Sequence, residues 1–386
     1  TLKQYNPTGD SVTKTFSLST KDSLRYVDSL LPNQTYKFQL SCIWNPTSSN
    51  QQQVLSIKQQ VTTMDTTSHN FTFQKWPFGS SGSSILYDVA IINDNDIWAV
   101  GEIMIADTSQ NGYTTYNAVH WDGNDWELKQ IPFTYNGQTF YSAIKAILAF
   151  NENDIWFGIA SLIHWNGTVY QSISTATFFP AMVNKMWGIS SNDFYIAGTR
   201  GQIVHYNGSN WHRIESGTTL DIYDLWGYYN PETSDTEINF IAAQHFEGPE
   251  RKIFTLKNNI VEELSTTNIL QGSLHGIWFI HGKKYYVVGN GIYTKKDITD
   301  SNEWDASLDY LTPYYSYAIR GSSFNNVFIC GSYGDVLHYN GYTWISFRNT
   351  PGFFNADFYN VEVKGDIVVM VGQRFSSGFI TMGKKQ

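Results

Sequence analysis

Three features of the sequence predict an all-β chain, most of it a closed ring of repeated four-stranded sheets. A half-repeat of strand, polar tight turn, strand and glycine recurs, as YDVAIINDNDIWAVG at 87 to 101 and as NKMWGISSNDFYIAG ending at Gly198. A second half-repeat, HWDGNDW at 120 to 126, returns as HWNGTVY from 164, HYNGSNW from 205 and HYNGYTW from 338. The sequence then closes on SGFITMGKKQ without the outer strand its last unit needs, while a strand with no partner of its own, HNFTFQKWPF, stands at 69 to 78.

In chain order, residues 1 to 64 read as strands with turn punctuation and no helical period: TLKQYNPTG, TKTFSLST, LRYVDSLLP, TYKFQLSCIW and VLSIKQQVTT. Residues 65 to 68 form a linker, and the repeats occupy 69 to 383. Further first half-repeats end at Gly158, Gly289, Gly331 and Gly372, and a seventh, 222 to 243, keeps both strands around a longer turn. The second half-repeat places its glycines at 123, 167, 208 and 341, with gaps of 44, 41 and 133. The last gap leaves room for two degraded copies, KIFTLKNNIVEEL from Lys252 and GIYTKKDITDSNEW ending at Trp304, which keep the strands and lose the histidine.

Four short strands in 40 to 45 residues is the period and content of a propeller blade. Seven first halves against six second halves predict a seven-bladed β-propeller. Its last blade takes 69 to 78 as outermost strand, with Trp76 standing for the terminal aromatic of the other copies. Closure of that kind removes the exposed edges through which sheets aggregate.

Bulk composition excludes several partners. The formal net charge is −9, charged residues are 15% and aromatics 16%. Nucleic acid and anionic membrane surfaces both require clustered Lys and Arg, so neither is expected. No apolar run approaches the roughly 18 residues of a bilayer span, so no membrane insertion is expected. Cys42 and Cys330 each sit in an alternating apolar run and are expected as two separate core thiols. Their number and spacing fit no zinc site, and no cofactor is implied. Thr1 begins nothing that resembles a signal peptide, and with no initiating Met the chain is expected to be mature or trimmed.

The recurring histidines invite a catalytic or metal role, and the repetition argues against it. A reacting atom must meet one nucleophile, one base and one stabiliser at defined distances, whereas His120, His164, His205 and His338 are related by the ring rotation and stand apart. They are expected to be struts bonded to neighbouring backbone. Asp96, Asp154 and Asp193, each just before a second strand, are expected to bond turn amides. The acidic turns NDNDIW at 93 and NENDIW at 151 are rich enough in oxygens to raise calcium as a minor alternative, although a calcium site needs several oxygens converging within one loop.

Two stretches resemble known families. LLPNQTYKF, with Leu30, Pro32 and Tyr36, resembles the tyrosine corner of fibronectin type III domains, in which a phenol hydroxyl ties a crossover back to the main chain. The resemblance implies a small fibronectin type III-like β-sandwich at 1 to 64, incomplete because its first two strands would lie upstream of Thr1. The repeats resemble bacterial extracytoplasmic propeller repeats of the form DxWxxG…GxxxHWxGxxW. That resemblance implies an exported bacterial protein, extracellular or at the cell surface, and implies no particular activity. The sialidase-type Asp box SxDxGxTW is not matched, since YNGYTW at 339 lacks its Ser and Asp.

A ligand site is expected where the repeat is broken. Loops joining second to third strands, and one blade to the next, emerge on one face around the central channel. They carry many rings, of which Tyr135, Phe179, Tyr314 and Phe354 are the candidates for ligand contact, with His245 and Arg374 as polar companions. The channel adds a second set. Thirteen residues before the glycine stand Asp88, Lys145 and Lys185, then Asp224 by its DLWG match to KMWG, followed by Gly276, Ala318 and Tyr359. The loop rings either pack on one another or bind a partner, and the channel charges either pair between blades or floor a polar pocket.

The favoured function is a secreted, non-catalytic module that recognises a glycan or an extracellular protein through this face. The alternative is a carbohydrate-active enzyme. A glycoside hydrolase would use Asp88 with Asp224 or Glu102 as its carboxylate pair. A polysaccharide lyase would use His245 beside Arg251. A self-assembling structural or filament-forming subunit is a third class.

Overall fold

The computed structural model describes residues 1–15, 30–44, 52–80, 83–109, 111–243, 250–269, 272–298 and 303–386. Among these residues the helical elements are single 3-10 turns, and the rest is strand and turn. From Ile85 onward, among the described residues, seven antiparallel sheets of three or four strands follow one another in chain order, with a two-stranded hairpin between the first and the second. Their first strands are Ile85–Asn93, Ala146–Asn151, Val183–Ser190, Asp221–Asn230, Leu274–Ile280, Ser316–Ser323 and Ala356–Lys364. Each packs against the first strand of the next sheet, and the seventh returns to the first.

The apolar alternation of the repeats explains this packing. Each hydrophobic cluster spans two successive sheets, as where Trp98 and Val100 of the first meet Ile147, Ile155 and Phe157 of the second. The cluster of Leu86, Val89 and Ile97 with Val369, Val371 and Ile380 joins the first sheet to the seventh. A glycine in most second strands lets that strand lie close to the start of the first strand of its own sheet. A Cβ on Gly101, Gly198, Gly331 or Gly372 would run into the main-chain carbonyl of Ile85, Met182, Tyr315 or Asp357.

The strand Phe71–Phe78 pairs antiparallel with Ser377–Lys385, as outermost strand of the seventh sheet, with Trp76 opposite Ile380. Trp76 lies 5.5 Å from Trp121 and 6.0 Å from Trp126, ring centre to ring centre. The segment before it is tied to the sixth sheet. The Asn325 side chain donates to the Asp65 carbonyl at 2.7 Å, and the Thr67 amide donates to the Asn340 carbonyl at 3.0 Å.

The fifth sheet departs from expectation. Among the described residues it has three strands, and beyond Gly291–Lys295 only an isolated bridge joins Thr294 to Asp305. Trp304 is buried outside any strand. The degraded repeat there kept its aromatic for packing and gave up the pairing.

At the amino end, Leu2–Tyr5, Ser11–Lys14, Thr35–Trp44, Gln52–Leu55 and Gln59–Thr62 form a single sheet. The Tyr36 hydroxyl accepts the Leu31 amide at 2.9 Å, and Tyr36 is buried. Of the strand expected at LRYVDSLLP, residues 24 to 29 lie outside the described residues. Both cysteines are free thiols, but Cys42 is exposed, not in a core as its alternating run suggested. A strand with one open face puts every second residue in water whatever its polarity.

The histidines are struts, with a partner the sequence reading did not assign. His120 Nε2 bonds Asp96 Oδ1 at 2.9 Å, His164 bonds Asp154 at 2.8 Å, and His205 bonds Asp193 at 2.7 Å. The two recurring motifs thus clasp each other across the second and third strands. Each imidazole also stacks on the aromatic two residues after its aspartate, Trp98, Trp156 or Tyr195, at 4.2 to 4.3 Å. The turn amides are bonded instead by Asn93 and Asn151. In the Asp/Asn-Gly turns, Asp122 Oδ1 accepts the amides of Asn124 and Asp125, and Gly123 takes φ +100°. In the sixth sheet Asn326 replaces the aspartate opposite His338, whose other ring nitrogen lies 2.8 Å from His69.

Candidate functional site

The charged channel residues are locked in pairs. Asp88 of the first sheet accepts its neighbour Val89 N at 2.9 Å and, from the second sheet, Ile147 N at 3.1 Å. Asp224 of the fourth sheet repeats the arrangement with Leu225 N and with Ile277 N of the fifth, each at 3.0 Å. Each carboxylate then receives a cation from two sheets away. Lys185 donates to Asp88 at 2.7 Å, and Arg320 grips Asp224 with two bonds of 2.6 and 2.8 Å. Asn360 adds a bond of 2.7 Å to Asp88. All five residues are buried. Glu362, farther along the seventh first strand, has its carboxyl pushed above the usual range by burial, against the pull of Arg320 and Lys185.

The channel mouth is built by a recurring irregularity. In six of the seven sheets the pairing of first and second strands slips by one residue near the start of the first strand. The extra residue is Tyr87, Asn184, Tyr223, His275, Tyr317 or Tyr359. A bulge of this kind re-aims the side chain of the unpaired residue. The second sheet has no slip there, Ala146 pairing Gly158 and Ile147 pairing Phe157, and Lys145 takes the place. These seven side chains line one cavity of about 290 Å³ together with Lys185, Asp224, Ala318, Arg320 and Asn360.

The rings meet one another around the mouth. Tyr223 stacks on His275 at 4.8 Å, Tyr317 meets His275 edge-on at 5.3 Å, and Tyr359 meets Tyr317 at 5.0 Å. His275 Nδ1 contacts the Tyr317 carbonyl at 2.7 Å. Lys145 Nζ rests 3.3 Å from the centre of the Tyr87 ring, a cation-π contact. Burial lowers the Lys145 pKa, with Glu102 pulling the other way. Burial raises the phenol pKa values, Tyr223 to about 12 with help from Asp221, so the hydroxyls remain donors at neutral pH.

Of the residues predicted from sequence, Asp88, Lys145, Lys185 and Asp224 are brought together in the channel. In the seventh sheet the thirteen-residue count lands on Tyr359, but that sheet lacks the second register slip that the first has between Ile91 and Asn93, which makes Asn360 the register equivalent of Asp88. The loop residues do not form one patch. Phe179 is fully buried beside Ala181, Val183 and Phe194, which corrects its assignment as a surface contact. An inter-blade loop must seal the end of the cluster beneath it, and Phe179 does so. Phe353 is likewise buried, and Phe178 stacks on Trp211 at 4.6 Å.

Tyr135 is exposed on the short hairpin of Phe133–Tyr135 with Gln138–Phe140. Tyr314 is half-buried between Tyr333 and the Arg348 guanidinium. Arg374 donates to the Phe354 carbonyl at 3.1 Å and lies over Phe375, and Phe354 and Phe375 are 70% and 69% exposed. His245 lies outside the described residues. The bulged Tyr87, Tyr223, His275 and Tyr317 were missed, although a signal existed: in these four repeats a tyrosine or histidine stands immediately before the aligned channel position.

The arrangement suits binding better than acid–base chemistry. Both oxygens of Asp88 and of Asp224 are taken up by amides and cations, so neither carboxylate is free for a glycosidase pair. Among the described residues, no group of three His, Cys, Asp or Glu converges as metal ligands would. No helix among them is long and apolar enough to cross a membrane.

No family model matches the sequence, and no curated protein does. Solved structures do resemble it. YCF48 bound to a D1 peptide is 16% identical with a TM-score of 0.59, over 83% of this chain and 100% of that one. Catalytically inactive virginiamycin B lyase from Staphylococcus aureus with quinupristin is 9% identical with a TM-score of 0.58, over 81% and 99%. The WD40 β-propeller domain of Doa1 is 10% identical with a TM-score of 0.55, over 82% and 98%. At these identities the likeness concerns the fold, and the chain is an all-β protein with a β-propeller.

Proposed function

We propose that this chain is a non-catalytic binding module that works outside the cell or at its surface and holds a polypeptide segment over the mouth of its channel. In this reading residues 69 to 383 are a seven-bladed propeller sealed by 69 to 78. Residues 1 to 64 are a partial fibronectin type III-like spacer, and 65 to 68 join the two. The cycle of first-strand contacts and the Tyr36 hydroxyl bond support that division.

One observation carries the binding role: six bulges and one lysine aim seven side chains into a single cavity. Phenol, imidazole, amide and ammonium groups suit the main chain and polar side chains of a peptide. Rings already engaged with each other leave little free face for a sugar. That a structurally similar propeller has been solved with a peptide is consistent with this choice. A second reading, glycan contact, is favoured elsewhere on the surface by the exposed Phe354 and Phe375 flanking Arg374. The lyase among the structural neighbours keeps an enzyme as the remaining alternative.

The test is a paired peptide and glycan array read on wild-type protein, Tyr359→Ala and Phe354→Ala, with a turnover assay on every hit. Peptide binding lost in Tyr359→Ala and kept in Phe354→Ala is the expected outcome. Binding confined to glycans and lost in Phe354→Ala would replace this reading with the second, and turnover of any hit would replace both.

A further inference from the structure

Three cations serve the channel, and they are not alike. Lys185 and Arg320 are neutralised by Asp88 and Asp224 at 2.7 and 2.6 Å. Among the described residues Lys145 forms no ion pair and its ammonium makes no hydrogen bond; its close contact is the Tyr87 ring. Glu102 is near enough to be felt electrostatically, without reaching ion-pair distance. Two neutral donors share this condition. The hydroxyls of Tyr87 and Tyr359 form no hydrogen bond among the described residues, and they are close enough to influence each other. Three donors from the seventh, first and second sheets therefore line one cavity, with the Glu102 carboxylate felt by Lys145 and Tyr87 and the Asp357 carboxylate felt by Tyr359 but neither bonded to them.

We infer that this corner of the mouth is a carboxylate site, in which Lys145 supplies the charge and the Tyr87 and Tyr359 hydroxyls donate to the two oxygens. One compact cation and two neutral donors match a monoanion with two oxygens. A phosphate would call for more charge and for forked donors such as arginine. Burial keeps both phenols protonated, so they remain donors at neutral pH. The Lys145–Tyr87 stack holds the ammonium in place before a ligand arrives, which reduces the ordering that binding requires. The inference rests on the mouth being the binding site, and it narrows the ligand to one that presents a carboxylate, either a peptide terminus or acidic side chain or a uronate.

The experiment titrates the whole chain, carrying ¹³C-labelled tyrosine, with N-acetylglycine, N-acetylglycinamide and glucuronate at constant ionic strength. N-acetylglycine is expected to shift the Tyr87 and Tyr359 signals while its amide does not. Lys145→Met and Tyr359→Phe should weaken that response, the lysine change by about tenfold or more, the scale of a lost charge-assisted hydrogen bond. Lys145→Arg should retain it. Glucuronate acting where N-acetylglycine fails would keep the carboxylate site and overturn the polypeptide reading. Equal shifts from acid and amide, or an unchanged response in Lys145→Met with an unaltered thermal melt, would overturn the carboxylate site and leave the mouth as a binding surface.

Discussion

Arg320 and Asp224 meet in the channel through two parallel hydrogen bonds of 2.6 and 2.8 Å, with side chains 2% and 7% exposed. The Asp224 carboxylate also takes an amide of its own sheet and one of the next, so a single side chain joins three sheets. Removing one partner leaves an uncompensated buried charge. Arg320→Met is therefore expected to destabilise the fold by about 3–5 kcal/mol in urea unfolding. The double variant Arg320→Met with Asp224→Asn should recover part of that loss, and a double variant as unstable as the two single changes added together would show that the pair does not act as a unit.

The His164–Asp154 clasp makes a smaller contribution. Both groups are about one-fifth exposed, and Asp154 also accepts the Ser191 hydroxyl at 2.8 Å. Asp154→Ala is expected to lower stability by about 1–2 kcal/mol, the range of one or two net hydrogen bonds, with ligand binding at the mouth unchanged. Loss of binding at full stability would show that the clasp reaches the channel.

His338 makes the fold acid-sensitive. Burial, with the charges of His69 and Lys385, pushes its pKa down to about 3 from an ordinary 6.5. The unfolded chain therefore binds more protons than the folded one between those values. Stability from keeping His338 neutral is present in full above pH 6.5 and is lost as the pH falls toward 3, by on the order of 5 kcal/mol if titration runs to completion. Thermal melts at pH 7, 5.5 and 4 should show a steeper decline for wild type than for His338→Gln. Parallel declines would locate the acid sensitivity in other groups.

Trp76 fastens the closing strand against Trp121 and Trp126. Trp76→Ala is expected to lower stability by about 3 kcal/mol, the low end for losing a large core ring, since Trp76 is only partly buried. Deletion of residues 69 to 78 should do more, producing a chain that associates, because Ser377–Lys385 would then present an unpaired edge. Light scattering distinguishes the two outcomes, and a deletion variant that stays monomeric would remove edge protection as the strand's role.

The repeats made the strands legible because most of them share the same glycine, the same Asx turn and the same alternation. The missing outer strand pointed to 69 to 78 for the same reason. The fifth sheet was misjudged because an aromatic at the expected spacing, Trp304, packs as well from a loop as from a strand. At the site, counting back from the glycine found Asp88, Lys145 and Lys185, and the DLWG match to KMWG found Asp224, since register there is fixed by the pleat. The count passed over Tyr87, Tyr223, His275 and Tyr317 because a bulge inserts a residue that simple alternation does not anticipate. Phe179 and Phe354 look alike in sequence, each the second of two adjacent loop phenylalanines, and only packing separates the plug from the exposed ring.

The pairing of Phe71–Phe78 with Ser377–Lys385 orders events during synthesis. A ribosome delivers the first of these strands early and the second late, so every nascent intermediate carries the early strand without its mate. Closure of the seventh sheet must await emergence of Ser377–Lys385. Until then the early strand keeps an unpaired edge open to neighbouring polypeptides.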